Sequence, residues 1–209
     1  LEKRSNLFAL PAFKAGLFEM QDENSQLIAL ALKAEAGDLV LDFCAGSGGK
    51  TLAFAHQLKG TGQIFLHDIR PRALLEAKKR LRRAGIQNAQ IAPDLKNLKK
   101  NFFSRLLLDV PCSGSGTIRR NPDMKWKFSP EALEELVQKQ REIFQEALPF
   151  LKTGGHLLYA TCSLFQKENE QQTAYFLQKY PLEPVGDPVK FLPESHRGDG
   201  FFGQLFKKL

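Results

Sequence analysis

Two short segments of this chain carry residues able to do covalent chemistry: Asp109-Val110-Pro111-Cys112-Ser113-Gly114 and Thr161-Cys162-Ser163. Each places a cysteine just past an apolar run, Leu106-Leu107-Leu108 in one case and Leu157-Leu158-Tyr159-Ala160 in the other. Such runs are predicted to be buried parallel strands, and a helical crossover between them would make them sheet neighbours about 4.8 Å apart. Ligands of open α/β sheets bind at the carboxyl ends of the strands, so both thiols and Asp109 are expected to face one crevice. A thiolate there can add to an electron-poor ring carbon while a carboxyl handles the ring's proton. Free cysteines also serve as small core residues, and on these two positions alone both readings stand open.

The elements needed to position these groups follow from the pattern. Asp22 or Asn24 is expected to cap a helix running through Leu27, Ile28, Leu30 and Leu32. Strands are predicted at 39–43, 63–67, 89–92, 105–110 and 156–160, alternating with helices at 50–58, 71–84, from Ser129 onward, and 167–179. Pro71 and Gly85 bracket one of these helices, and Gly154-Gly155 is expected to turn into the fifth strand. Two weaker strands are expected around Pro184-Val185 and over 201–206, which makes a mostly parallel seven-stranded sheet with helices on both faces. The stretch from Pro111 to Phe128, rich in Gly, Arg and Pro, is long for a loop inside a compact domain, and such loops are usually functional.

A second site is expected at the turn Asp42-Phe43-Cys44-Ala45-Gly46-Ser47-Gly48-Gly49-Lys50-Thr51. Its glycines let a ligand approach the backbone, and the opening amides of the following helix can meet that ligand. Gly49-Lys50-Thr51 ends like a phosphate-binding loop, but Cys44 stands where that pattern needs glycine. The dinucleotide pattern fails as well, because Thr51 occupies its last glycine position. Asp68 at the end of the second strand is placed to bind ribose hydroxyls, and Asp94 after the third to receive an exocyclic amine. A glycine turn followed by two acids suits an adenosine ligand without phosphates.

The 209 residues fit one α/β domain, with residues 1–20 as an N-terminal arm and 21–209 as the catalytic domain. No stretch approaches the roughly 18 apolar residues of a membrane span, and no secretory signal pattern opens the chain. Leu1 in place of methionine suits a fragment or a processed chain. Three widely separated cysteines argue against a disulfide framework or a structural zinc site, so reduced thiols in the cytoplasm, no metal and a monomer are expected. The net charge of +7 points to a polyanionic partner, with basic residues clustered at Arg70 and Arg72, Lys78 to Arg83, and Arg119-Arg120 with Lys125-Trp126-Lys127. Arg119, Arg120, Lys125 and Lys127 can hold phosphates; Trp126 can either stack on a base or pack in the core. His67, His156 and His196 are scattered and are read as structural.

Taken together these stretches resemble the Fmu/Sun-type RNA 5-methylcytosine methyltransferases, which use S-adenosyl-L-methionine on a Rossmann-like class I sheet. The resemblance runs through Gln21-Asp22 to Gln26, Asp42 to Thr51, Asp68, Asp94, Asp109 to Gly116, Arg119 to Asp123, Thr161 to Ser163, and Asp199 to Phe202. One departure is Ser47, where the family usually has proline. The resemblance implies that Cys44, Ala45, Gly46, Ser47, Gly48, Gly49 and Lys50, with Asp68, Asp94 and Asp109, line the S-adenosylmethionine site. It also implies that Cys162 is the nucleophile and that Cys112 assists release of the methylated base, directly or by placing a water. The substrate would be ribosomal or transfer RNA. An amino-group methyltransferase is disfavoured, because cysteine follows Asp109-Val110-Pro111 where those enzymes favour a second proline and an aromatic residue. A non-catalytic RNA-binding or ribosome-assembly factor that keeps the fold is the remaining alternative.

Overall fold

The computed structural model describes residues 6–193 and 198–209; His196 lies outside the described residues. One mixed sheet of eight strands forms the centre: β1 (Leu39–Asp42), β2 (Gln63–Leu66), β3 (Ala89–Ile91), β4 (Phe103–Asp109), β5 (Leu151–Thr161), β6 (Leu182–Pro184), β7 (Val189–Phe191) and β8 (Phe201–Lys208). Their order is β3-β2-β1-β4-β5-β8-β6, with β7 also on β8. The first five strands pair in parallel, whereas β8 runs antiparallel to β5, β6 and β7. The helices are α1 (Pro11–Lys14), α2 (Glu23–Leu30), α3 (Gly49–Phe54), α4 (Pro71–Arg83), α5 (Met124–Lys127), α6 (Pro130–Ala147) and α7 (Glu170–Lys179).

Strand alternation splits the core into two layers. Leu106, Leu108, Leu157 and Tyr159 join Phe144 of α6 and Phe176 of α7 on one face. Leu107 and Leu158, the residues between them, join Ala29 of α2, Phe54 of α3 and Leu74, Ala77 and Leu81 of α4 on the other. A run of apolar residues buried on both faces is what a parallel strand between helical layers requires. Helix starts follow capping chemistry: the Asp22 side chain accepts from Ser25 N at 3.1 Å, and Ser129 accepts from Ala132 N at 3.1 Å ahead of Pro130. Asn24 is thus not the cap; its Nδ2 donates to the Asp199 carbonyl at 2.9 Å.

Several boundaries differ from those the sequence pattern predicts. The sheet has an eighth strand, β7, three residues long and too short for an alternation signal. β5 begins at Leu151 and carries Gly154-Gly155 within it; a register shift against β4 between Phe103 and Arg105 accommodates them. The helix predicted to reach Leu58 ends at Phe54 and continues as a tighter turn over Ala55–Leu58. α2 ends at Leu30 with Ala31 as its C-cap, short of the expected Leu32, and Lys33 at φ 51° turns the chain just past Leu32. The stretch 111–128 contains a short helix, α5, that nothing in the pattern announced. Among the described residues, no helix is long and apolar enough to cross a membrane.

Candidate active site

β4 and β5 are in register with Asp109 opposite Ala160, so the residues just beyond them leave the sheet side by side. That register brings Cys112 Sγ and Cys162 Sγ to 3.4 Å, two partly buried thiols in hydrogen-bond contact. The loops behind them are closely joined, with Gly116 N donating to the Cys162 carbonyl at 2.9 Å and Gly200 N donating to the Gly116 carbonyl at 2.8 Å. A Cβ at position 116 would lie 2.3 Å from Gly200 O, so only glycine permits this approach. The Cys112 hydrogen bond holds the Cys162 thiol below the ordinary thiol range, with Lys50's charge acting against burial. The bond to Cys162 and burial push the Cys112 thiol well up. Two thiols held this way can act as a nucleophile and a proton-holding neighbour.

A cavity of 400 Å³ opens over the two cysteines, lined also by Gln21, Lys50, Asp109, Arg120 and Phe201. Lys50 is buried at the start of α3 and its Nζ donates to Asp109 Oδ2 at 2.6 Å, while its charge sits 5.0 Å from the Phe201 ring centroid. Lys50 and Asp109 also line a second cavity of 700 Å³ that holds Cys44, Ala45, Gly46, Ser47, Gly49 and Asp68. The Lys50–Asp109 pair therefore stands on the boundary between two spaces, one leading to the thiols and one to the glycine turn.

The turn is built around Gly48, which caps α3 at φ 77° where an added Cβ would lie 3.2 Å from the Ala77 Cβ of α4. Beneath it, Asp42 at the end of β1 is buried and accepts from Thr51 Oγ1 at 2.6 Å. Burial raises the Asp42 carboxyl to about 7. Burial also pushes the Cys44 thiol well up, and Asp42 adds to that effect. Ser47 receives Arg80 Nη1 on both its carbonyl and its Oγ at 3.0 Å, a bond that proline's side chain could not accept. Asp68 accepts Gly46 N at 2.8 Å and both the backbone and the guanidinium of Arg70. Burial alone would raise this carboxyl, but the Arg70 and Gly46 donors outweigh it and hold it below the usual range.

Asp94 is placed differently from the other acids. It is exposed, its Oδ1 accepts Lys96 N at 2.9 Å, and it does not line the 700 Å³ cavity. His67 is buried on that cavity's wall with Nδ1 2.9 Å from the Ala92 carbonyl. His156 is half-buried in β5, and burial lowers its imidazole.

The basic residues of the long loop divide into two groups. Arg120 lines the thiol cavity and binds Asp199, its Nε donating to Oδ2 at 2.6 Å, and Arg119 Nη2 lies 3.6 Å from Asp199 Oδ1. Asp199 itself is 0% exposed, so these arginines anchor a buried acid as well as facing solvent. Lys125 and Trp126 stand on α5; Trp126 is 81% exposed, which removes the core-packing reading for it, and Lys125 Nζ lies 5.0 Å from its ring. The side chain of Lys127 lies outside the described residues. Residues to which the sequence assigned no chemical role also shape the site: Gln21, which opens one of the stretches carrying the resemblance, lines both cavities, and Glu168 sits fully buried behind the cysteine loops. Glu168 belongs to Lys167-Glu168-Asn169-Glu170, a run that reads as a solvated helix start, and its only sequence signal is closeness to Thr161-Cys162-Ser163.

The chain is similar to known proteins in sequence and in fold. A family model described as 16S rRNA methyltransferase RsmB/F matches residues 29–207. Ribosomal RNA small subunit methyltransferase B of Proteus mirabilis is 37% identical over 212 residues, covering 100% of this chain and 50% of that protein. NSun6 from Pyrococcus horikoshii, solved with SFG, superposes with a TM-score of 0.87 at 27% identity, covering 98% of this chain and 56% of the other. A methyltransferase homologue from the same organism gives a TM-score of 0.84 at 28% identity, with 99% and 73% covered. The chain spans about half the length of the curated relatives it matches. With the family match running from α2 through β8 and both cysteine segments inside it, this chain belongs to the 16S rRNA methyltransferase RsmB/F family.

Proposed function

We propose that this domain transfers a methyl group from S-adenosyl-L-methionine to carbon 5 of a cytosine in RNA, with ribosomal RNA as substrate, through a covalent adduct on Cys162. The observation that carries this reading is the 3.4 Å contact between two thiols at neighbouring strand ends, in a cavity shared with Lys50 and Asp109. The donor set of the adjoining cavity fits the cofactor: its 700 Å³ is the size of a small-molecule site, with a glycine turn, helix-opening amides and the Asp68 carboxylate in its wall. Residues Cys44 to Lys50, with Asp68 and Asp109, would hold it; Asp94, expected near the adenine, is not among the residues lining this cavity, and its Oδ1 accepts Lys96 N. When bound, S-adenosylmethionine supplies an electrophilic methyl carbon.

The protein's own groups supply the rest. Carbon 5 of cytosine is a poor nucleophile until a thiolate adds at carbon 6, which turns the ring into an enamine-like species. Cys162 makes that bond, and Asp109, after taking a proton from the Lys50 ammonium that donates to it, passes that proton to N3. After methyl transfer, a base takes the carbon 5 proton and the sulfur–carbon 6 bond breaks; Cys112, beside the departing sulfur, assists this step. The cytosine must leave its stack to enter, at a cost of a few kcal/mol that is smallest in single-stranded RNA. Exposed Trp126 with Lys125 and Arg119, on the loop that follows Cys112, would offer a stacking and phosphate-holding surface. We take residues 21–209 as the catalytic domain and 1–20 as an arm; Glu19 binds Arg80 and Arg83, and Phe13 packs on Arg83. A monomer working in the reducing cytoplasm suits three free thiols.

The test is release of tritium from RNA labelled at carbon 5 of cytosine, in the presence of S-adenosylmethionine. Release to water accompanies methylation if the reading is right. An amino-group methyltransferase, or a protein that only binds RNA, would release none.

A further inference from the structure

Glu168 is 0% exposed, and among the described residues no cation pairs with it. Its carboxylate is instead filled by donors from three segments. Oε1 accepts Ser113 N at 2.8 Å and Gln140 Nε2 at 2.9 Å. Oε2 accepts Ser113 Oγ at 2.6 Å and the Ser163 hydroxyl. Ser113 directly follows Cys112 and Ser163 directly follows Cys162, so one carboxylate grips the chain on the far side of each thiol. Gln140 Nε2 reaches further, to the Pro111 carbonyl at 3.1 Å on the near side of Cys112. The grip is held from behind, because Tyr159 OH donates to the Glu168 carbonyl at 2.7 Å and Gln172 Nε2 donates to Gln140 Oε1 at 2.9 Å.

A buried carboxylate without a cation is costly, and four donors converging on it repay that cost only in this one arrangement. A core built for stability alone would do as well with apolar side chains of the same volume. We propose that Glu168 is a positioning residue: by joining Ser113 to Ser163 it fixes the distance between the two thiols and sets which of them keeps its proton. Its negative charge faces Cys112, the only thiol whose loop it binds through both a backbone N–H and a hydroxyl. Cys112 therefore stays a thiol and donates, and Cys162 becomes the thiolate that accepts. Glu168 touches neither sulfur and acts through the two serines and its field.

The inference rests on the proposed cysteine chemistry, but its test does not need methyl transfer. The whole chain is treated with iodoacetamide over a range of pH, and peptide mass spectrometry follows Cys44, Cys112 and Cys162 separately. In the unaltered protein Cys162 should alkylate at lower pH than Cys112. In Glu168→Gln, and in the milder Ser163→Ala, which frees one loop and keeps the carboxylate, the preference for Cys162 should fall about tenfold, as it would for a thiol pKa moved by about one. Ser163→Ala keeps the proposal testable if Glu168→Gln does not fold. An unchanged preference and pH midpoint in either folded variant would overturn the positioning role. If the alkylation pattern shifts as expected while the unaltered protein releases no tritium from labelled RNA, the proposed reaction fails and the positioning of the thiols stands.

Discussion

Replacing Asp42 with asparagine should change how the protein's stability depends on pH. Asp42 lies under the glycine turn, 1% exposed, with one oxygen bonded to Thr51 and the other, Oδ1, without a partner. Burial lifts its carboxyl from 3.8 to about 7; Asp109 and Asp68 reinforce the lift, while Thr51 and Lys50 oppose it. A raised carboxyl means that the folded state binds a proton the unfolded state has released. Stability from this group is thus fully present below the unfolded value and is lost as pH rises through the folded one. Between about pH 5 and about pH 8 the loss works out at roughly 2.5 kcal/mol, because each tenfold difference in proton affinity is worth about 1.4 kcal/mol. Asparagine keeps an oxygen for Thr51 and cannot ionise. In urea unfolding, the stability advantage of Asp42→Asn over the unaltered protein should widen by about that amount from the lower pH to the upper one. A stability difference that does not move with pH would refute the reasoning, because it would mean Asp42 carries the same charge folded and unfolded.

Other substitutions test the remaining parts of the site. Asp68→Ala should weaken S-adenosylmethionine binding by about 1.5–3 kcal/mol, the scale of hydrogen bonds to a charged group, as read by calorimetry on the folded protein. Arg120→Ala should lower stability by about 1–3 kcal/mol in urea unfolding, because it strips donors from the buried Asp199 carboxylate, and Arg119→Ala should cost less. Gly116→Ala should destabilise by about 1–3 kcal/mol, since the added carbon meets the Gly200 and Cys162 carbonyls, and methyl transfer should fall with it.

The sheet and the thiol pair were legible because they rest on local signals. Leu106-Leu107-Leu108 and Leu157-Leu158-Tyr159 are apolar on both faces, as inner parallel strands must be, and the chain just past such strands lines the ligand crevice. The Asp22 cap and the Pro71 start were readable for the same reason. What escaped depends on contacts distant in sequence. Glu168 sits in a polar stretch that reads as surface, and Asp199 was seen only as part of a stretch resembling the family; both are buried with donors that arrive from elsewhere, Ser113 and Gln140 for the one and Arg120 for the other. The ion pair of Lys50 with Asp109 joins the turn after β1 to the end of β4, so neither segment alone announces it. Asp94 follows its strand as expected, and its carboxylate accepts the local Lys96 N and does not line the cavity, a local bond of the kind short polar side chains often make at a turn.

The most direct test of covalent catalysis by Cys162 is a denaturing gel of protein incubated with RNA and labelled S-adenosylmethionine. Cys112→Ala should attack, transfer the methyl group and stall before release, leaving a denaturant-resistant protein–RNA band that carries the label. Cys162→Ala should form no band and methylate nothing. The reverse pattern would exchange the two roles, and partial losses in both variants without any trapped band would contradict the covalent account.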